Sequence, residues 1–261
     1  MSLKISDNII GFDKELSFFK NLYHKNCLPS KILFQGLEGI GKYTFVLHLI
    51  NLLLKNKDTN NIENKLLNNQ NILILKKNDN SREYKFDEIK NIINFCKLKS
   101  LGAKSKFIVI KSTNFLNKNS INALLKLTEE VKEDVFFFFT SNFMLNNSKT
   151  LESRFFKKKL FLKKNYHNQI INNFFRENNI ENKYHNKEDN NTPGYVLRKY
   201  FFELDGNLEN LKKNNEDLFY KIVSEKIINK FNQDHILILK KIKFNIAYKN
   251  DMNQLLTLLD K

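Results

Sequence analysis

Short apolar runs separated by polar stretches follow one another between Lys31 and Leu162. Runs of this length, bounded by polar or turn residues, are typical of strands buried on both faces. Between them, apolar residues recur at the three- and four-residue spacing of an amphipathic helix. The runs predict strands at residues 31–34, 72–75, 107–110 and 135–140, and the spacing predicts helices at 45–54, 86–98 and 118–131. This alternation predicts a parallel, doubly wound α/β domain over residues 1–162.

The pattern changes after Leu162, where helical spacing continues without further strands. It predicts helices over residues 166–175, 195–202, 208–230 and 234–248, with a last turn near Leu255. We therefore expect a small helical lid domain at residues 163–203 and a further helical domain at 204–261. The stretch at residues 55–70 is rich in Asn and Lys, which favours a loop or a surface insertion.

A glycine-rich loop joins the first predicted strand to the first predicted helix. Its sequence, GLEGIGK, has Gly36, Gly39, Gly41 and Lys42 at the spacing of a phosphate loop. The glycines allow a tight wrap whose N–H groups point at a phosphate, and Lys42 would neutralise phosphate charge at the helix N-terminus. The alternative is a turn of the same shape that binds no nucleotide. The sequence therefore predicts the fold of an ATP or ADP site and leaves its occupancy open.

Both positions that should hold a magnesium ion carry unsuitable side chains. The hydroxyl that should follow the loop lysine is replaced by Tyr43, and Thr44 is one position late, a rotation of about 100° on a helix. The carboxylate expected after the strand at 107–110 is replaced by Lys111. Lys111 either offsets phosphate charge itself or turns to solvent. With either orientation we expect no Mg²⁺ site and negligible hydrolysis.

The formal net charge of +16 would attract phosphate backbones. However, Lys, Asn, Ile and Phe are abundant while Gly, Pro and Arg are scarce, which indicates compositional drift over the whole surface. The charge alone does not separate direct DNA contact from composition. Arginine is the informative cation, because only Arg82, Arg154, Arg176 and Arg198 remain among 44 basic residues.

Cysteine use and apolar run length restrict the remaining options. Cys27 and Cys96 stand far apart and form no four-cysteine pattern, so we expect two buried thiols and no zinc. No apolar run approaches the length of a membrane span. We therefore expect a cytoplasmic protein without a membrane partner.

Four segments carry a resemblance to the clamp-loader branch of the AAA+ proteins. SINALLKLTEEV, at residues 120–131, is similar to the family's ANALLKTLEEP, and KFDEIK, at 85–90, is similar to VDQIR. TLESRF, at 150–155, is similar to TIRSRC, and TPGYVL, at 192–197, is similar to GSPGRAL. The departures are Phe155 in place of the family's cysteine, Tyr195 in place of the second-domain sensor arginine, and the missing four-cysteine zinc module. Among the clamp-loader subunits, the chain most resembles the delta-prime type of bacterial DNA polymerase III.

The resemblance implies roles for further residues. Arg154 falls on the arginine finger that acts on ATP bound to a neighbouring subunit; the alternative is a structural salt bridge to an acid such as Glu152. Thr140 or Ser141 falls on the sensor position, or simply ends a strand. Ile10 and Gly11 fall where the family packs adenine, or form an ordinary domain entry. Nucleotide-binding residues would then be Ile10, Gly11, Gly36, Gly39, Gly41, Lys42, Tyr43, Thr44 and Thr140.

The function implied is that of a non-hydrolysing subunit of a sliding-clamp loader in DNA replication. Its partners would be gamma/tau-type and delta-type subunits in a pentamer, a sliding clamp, and primer-template DNA through the complex. It would lack ATPase activity of its own while belonging to the polymerase III holoenzyme, and residues 204–261 would form a reduced collar-like domain. The alternatives are an active loader ATPase of the gamma/tau type and a basic DNA-binding P-loop protein.

Overall fold

A computed structural model of the chain describes residues 9–56, 61–77, 83–98, 105–130, 134–142, 153–177 and 192–197. All of these belong to the first of the two units into which the chain divides, Met1–Arg198.

One parallel sheet of five strands forms the framework. The strands are β1 (Lys31–Gln35), β2 (Ile72–Leu75), β3 (Lys106–Ile110), β4 (Val135–Ser141) and β5 (Phe156–Lys159). Their order across the sheet is β2-β3-β4-β1-β5, with every neighbouring pair parallel. The four strands predicted from the apolar runs are confirmed.

Helices cover both faces of the sheet. They are α1 (Asp13–His24), α2 (Lys42–Leu53), α3 (Ile62–Leu67), α4 (Phe86–Lys97), α5 (Lys118–Glu130) and α6 (Lys164–Glu177). Buried residues of α1, α2 and α3 pack with Ile32 and Phe34 of β1 on one face. Those of α4 and α5 pack with Leu33 on the other face. This confirms the doubly wound α/β class, because alternate residues of one strand enter two separate cores.

An aromatic cluster fixes the helix that carries the phosphate loop. The ring of Phe34 makes edge contacts with those of Phe19, Phe45 and Phe138, at centroid separations of 5.4, 5.3 and 5.9 Å. All four side chains are fully or almost fully buried. Such pairs add about 0.5–1.5 kcal/mol each beyond the area they bury. The cluster therefore holds α1 and α2 against β1, which ends where the loop begins.

Two expectations about residues near this face are wrong. The stretch predicted as a loop at residues 55–70 contains α3, whose Ile62 and Leu66 lie one turn apart and are 2% and 1% exposed. One apolar pair in an Asn- and Lys-rich stretch gives too little periodicity to be recognised. Cys27, predicted to be buried, is exposed, because it lies in the connection between α1 and β1.

Two further elements, besides α3, were not predicted. Helix α1 buries only Phe19 fully, so its apolar pattern is faint. Strand β5 has the sequence FKKK, and its position at the edge of the sheet leaves most of it exposed.

The lid is described in part. The helix predicted at residues 166–175 is confirmed as α6, and residues 193–197 are helical, at the start of the helix predicted at 195–202. The rest of that helix, and all those expected at 204–261, lie outside the described residues. The domain limits at 162 and 203 stay predictions. Within the described stretches, no helix is long and apolar enough to cross a membrane.

Candidate functional site

The phosphate loop leaves the end of β1 and wraps into the first turn of α2. Gly39 and Gly41 have φ of +80° and +93°, in the region that side chains rarely adopt. A Cβ on Gly36 would lie 2.6 Å from Cδ1 of Ile40 and 2.9 Å from the Leu160 carbonyl oxygen. The loop glycines are therefore required by backbone conformation and by close packing. The structure places Gly36, Gly39, Gly41 and Lys42 together, in the context that the sequence predicted.

The ammonium group of Lys42 is turned inward onto the loop. Lys42 is 9% exposed, and its Nζ donates to the carbonyls of Gly36 and Leu37, both at 2.8 Å, and to Oδ1 of Asn142 at 3.0 Å. Asn142 follows β4, so the parallel sheet brings it to the same edge as the loop. Sequence reasoning missed Asn142. Its only signal is its position, directly after the strand that carries Thr140.

The segment at residues 192–197 packs on the loop. The Thr192 hydroxyl donates to the Glu38 carbonyl at 2.6 Å, and the Gly194 N–H donates to the Gly39 carbonyl at 2.9 Å. A Cβ on Gly194 would lie 2.8 Å from Cα of Gly39. The resemblance marked this segment only as part of the second domain, yet it makes direct hydrogen bonds to the phosphate loop.

Tyr43 is surrounded by charged groups. Its hydroxyl donates to Oε1 of Glu63 at 2.7 Å, and Glu63 also forms an ion pair with Lys76. The Nζ atoms of Lys111 and Lys76 lie 4.9 and 5.8 Å from the centroid of the Tyr43 ring. Burial, reinforced by the hydrogen bond to the Glu63 carboxylate and by its negative charge, raises the pKa of Tyr43 far above its usual value. The phenol is therefore a neutral donor at every ordinary pH.

These residues do not fit a magnesium ion. Mg²⁺ takes oxygen ligands in an octahedron, usually with one or two carboxylates and several waters. Here a neutral phenol is already bound to Glu63, and the ammonium of Lys111 lies against its ring. Lys111 is exposed, and its ammonium group stays close to the Tyr43 ring. Within the described stretches, no cluster of three or more His, Cys, Asp or Glu side chains offers another metal site.

Of the residues expected near the γ-phosphate, Thr140 is held by a hydrogen bond within the protein. Thr140 is 2% exposed, and its hydroxyl accepts a hydrogen bond from the Ser112 N–H at 2.9 Å. The Ser141 hydroxyl is buried, and no hydrogen-bond partner for it lies in the described part of the chain. Thr44 is half-buried, on the helix after Tyr43. Asn142 is the side chain at this strand end that reaches Lys42.

The stretch expected to pack adenine lies against the start of α6. Gly11 has φ of +84°, and a Cβ there would lie 2.6 Å from Cδ1 of Leu162 and 2.8 Å from a ring carbon of Tyr166. Ile10 beside it is half-buried. Leu162 and Tyr166 were not predicted to be at this position. They show that Gly11 is needed for close packing, whether or not a purine binds nearby.

Arg154 stands just before β5 and forms an ion pair with Glu129, near the end of α5. The distance from Nη1 to Oε1 is 2.7 Å, and the two side chains are 48% and 53% exposed. The partner is therefore Glu129 and not the Glu152 considered from the sequence. No hydrogen bond or ion pair found among the described residues joins Arg154 to the phosphate loop of its own chain.

Comparison with known structures supports the fold. A mutant of RuvB from Thermotoga maritima has a TM-score of 0.51 at 18% identity, over 87% of this chain and 80% of that one. A DNA polymerase III gamma subunit-related protein from the same organism has a TM-score of 0.48 at 16% identity, over 81% of this chain. The match spans 66% of that protein's own length. At 18% identity the likeness to the RuvB mutant concerns the fold alone.

The family to which the chain belongs is shown by its amino-acid sequence. No curated protein matches the chain. The model of the family described as DNA polymerase III, delta subunit, matches residues 12–164, which is more than half of the 261 residues. The match covers the whole parallel sheet, the phosphate loop and the Tyr43 surroundings. The chain therefore belongs to the DNA polymerase III delta subunit family and is a clamp-loader-like AAA+ protein.

Proposed function

We propose that the chain is a delta-prime-like subunit of a sliding-clamp loader, which does not hydrolyse ATP itself and completes the ATP site of a neighbour. Its partners are then gamma/tau-type and delta-type subunits in a pentamer. It reaches the sliding clamp and primer-template DNA through that complex. A nucleotide in its own loop, ATP or ADP, serves as a structural ligand held without Mg²⁺, and zinc has no role.

The observation that carries this proposal is the surroundings of Tyr43. Phosphoryl transfer in P-loop proteins uses a metal ion to neutralise charge on the β- and γ-phosphate oxygens. Two ammonium groups, those of Lys76 and Lys111, lie around the ring that replaces the metal-binding hydroxyl. A divalent cation would be repelled by both lysines, while Glu63, the nearest acid, is already bound to Tyr43 and Lys76. The loop can then bind the phosphates of a nucleotide without catalysing phosphoryl transfer.

The exposed guanidinium of Arg154 supports the second half of the proposal. A group that stabilises charge on another subunit's phosphate must be reachable from outside, and Arg154 is 48% exposed. Its ion pair with Glu129 is half-exposed, and such pairs contribute only about 0–1 kcal/mol. A γ-phosphate presented by a neighbour offers more negative charge than one carboxylate. Arg154 can therefore leave Glu129 for the phosphate at little cost.

Two measurements test the proposal together. The purified chain should show no ATPase activity with Mg²⁺ present. In the loader reconstituted with its other subunits, Arg154→Ala should strongly lower DNA-stimulated ATPase, because an arginine finger changes the rate at its own site by roughly 10³–10⁵-fold.

Arg176→Ala is the matched control, since Arg176 is also exposed but lies on α6. That variant should keep the activity of the unaltered loader. Robust turnover by the isolated chain would instead indicate an active ATPase of the gamma/tau type. Equal losses for the two arginine variants would remove the assigned role of Arg154.

A further inference from the structure

A row of exposed side chains follows strand β5 and the four residues after it. Lys157, Lys159, Phe161 and Lys163 are all exposed, and Phe161 is 65% exposed. The residues between them turn inward, and Leu160 is fully buried. Because alternate residues of a strand point to opposite sides, Lys157 and Lys159 share one side, and the alternation of exposed and less exposed residues continues to Lys163. We call this row the basic stripe.

The position of β5 explains why this side is open. Lys157 pairs in register with Leu33 and Lys159 with Gln35 of the neighbouring β1. Leu33 faces the core formed with α4 and α5, so the two lysines lie on the same face of the sheet. β5 is the edge strand, and that core includes no residue from it. The basic stripe therefore lies on the same face of the sheet as α4 and α5, at the β5 edge.

Local charge in this region exceeds what general composition explains. Residues 153–176 contain seven Lys or Arg and no Asp or Glu, so these 24 residues carry +7 of the net +16 of the 261-residue chain. Compositional drift that acted evenly would distribute both lysines and acidic residues along the whole chain. α6 also begins with Lys164 and has no acid in its first turn, although helix N-termini favour acids. Glu15 lies 3.9 Å from Lys158, which points to the opposite face.

We propose that the basic stripe binds single-stranded nucleic acid directly, a function that goes beyond the assembly role and needs no other subunit. Alternate residues of an extended chain repeat every ~6.6 Å, so Lys157, Lys159 and Lys163 can follow a phosphate backbone. Phe161, between them, offers a ring on which a base can stack. A basic surface with an aromatic platform is the usual way to bind a single strand without sequence preference. An acidic peptide would use the lysines but would gain no stacking from the ring.

The first test measures binding of the full-length chain to fluorescein-labelled dT20 by anisotropy across a range of salt. The triple variant Lys157→Gln/Lys159→Gln/Lys163→Gln should bind at least about tenfold more weakly at moderate salt. The slope of log K against log salt should fall by about 2, since each single-strand phosphate contact contributes about 0.7. Lys20→Gln/Lys97→Gln/Lys126→Gln removes the same charge from exposed sites elsewhere and should change the affinity less than twofold.

A second variant tests the stacking partner. Phe161→Ala should weaken dT20 binding about fivefold or more, consistent with the cost of losing one stacked base, and should hardly affect a duplex. Phe86→Ala, at a ring that is 50% exposed on α4, is its control. Equal loss for both lysine triples would assign the binding to diffuse charge and overturn the proposal. The proposal would also be overturned if the chain showed no measurable binding to dT20 at low salt. The same holds if polyglutamate competed as well as dT20 and Phe161→Ala had no effect.

Discussion

At the scale of single residues, Lys42 joins three parts of the site. Its ammonium group has three protons, and it donates to Gly36, Leu37 and Asn142. These bonds tie the loop to itself and to the end of β4. A phosphate that enters the loop must therefore compete with acceptors that Lys42 already has. The residue that suggests nucleotide binding also stabilises the loop without any nucleotide.

We predict that Lys42→Met lowers the free energy of unfolding in the absence of nucleotide by about 1–3 kcal/mol. The reason is that the buried Gly36 carbonyl and two partly buried acceptors lose a charged donor. Urea denaturation of the nucleotide-free chain measures this. Lys126→Met, at an exposed position of α5, should leave the midpoint nearly unchanged. Unchanged stability of Lys42→Met would mean that these hydrogen bonds contribute nothing net.

Tyr43 gives a prediction that depends on pH. Tyr43→Phe removes the hydrogen bond to Glu63 and should cost about 1 kcal/mol near neutral pH. Since the folded pKa of Tyr43 is raised above the unfolded value of 10.0, the unfolded phenol ionises first and binds fewer protons. The stabilisation is therefore present below pH 10 and declines above it. Unfolding free energies of both proteins between pH 7 and 10.5 should converge at the alkaline end, and a constant or growing difference would contradict this cause.

At the scale of elements, the segment at residues 192–197 matters most for the site, because it packs on the phosphate loop. Thr192 and Gly194 bond to the carbonyls of Glu38 and Gly39, so the segment covers two loop carbonyls. These bonds give both carbonyls a partner within the protein. The conformation of the loop thus depends on a segment far along the chain.

Substitutions at Gly39 and Gly41 distinguish the cost of packing against residues 192–197 from the cost of backbone strain. Both have positive φ, so alanine at either position should cost about 1 kcal/mol through its conformation. At Gly39 the new Cβ would also lie 2.5 Å from Oγ1 of Thr192, whereas at Gly41 nothing lies within 4 Å. Gly39→Ala should therefore destabilise the protein more than Gly41→Ala, and should speed hydrogen exchange at residues 192–197. Equal losses of stability would show that residues 192–197 move away from the new Cβ without a measurable energetic cost.

At the scale of the whole molecule, the net charge of +16 affects both stability and binding. A large excess of one sign destabilises the folded state by self-repulsion, and salt screens this term. Ion pairs oppose the trend, but those found among the described residues are few and mostly half-exposed. Repulsion is therefore expected to be the larger effect.

We predict that raising NaCl from about 20 to 300 mM at pH 7 increases the unfolding midpoint in urea, which is uncharged. Screening at the higher concentration shortens the Debye length to well under ~10 Å. Glucose at equal osmolality is the control and should have a smaller effect. A midpoint that falls with salt would mean that attractive pairs outweigh repulsion in this chain.

Much of the fold could be predicted because the local pattern is strong where residues are buried. β4 has five successive buried residues in its apolar run, and any register of the sheet would bury them. β5 and α1 could not be predicted, because an edge strand of lysines and a helix with one fully buried residue lack that pattern. The single apolar pair of α3 was hidden in the same way. Elements that bury few side chains lack the apolar pattern on which such predictions rest.

The sequence by itself determined the phosphate loop, the doubly wound class and the replacement of the metal-binding groups by Tyr43 and Lys111, since each depends on residue type at short spacing. Tertiary structure alone decided what those residues contact. Asn142 reaches Lys42 from 100 residues away, and Thr192 reaches Glu38 from 154. It also decided that Arg154 pairs with Glu129. Partners so far apart in sequence are brought together only by the order of strands in the sheet and by packing on its edge, which no local spacing encodes.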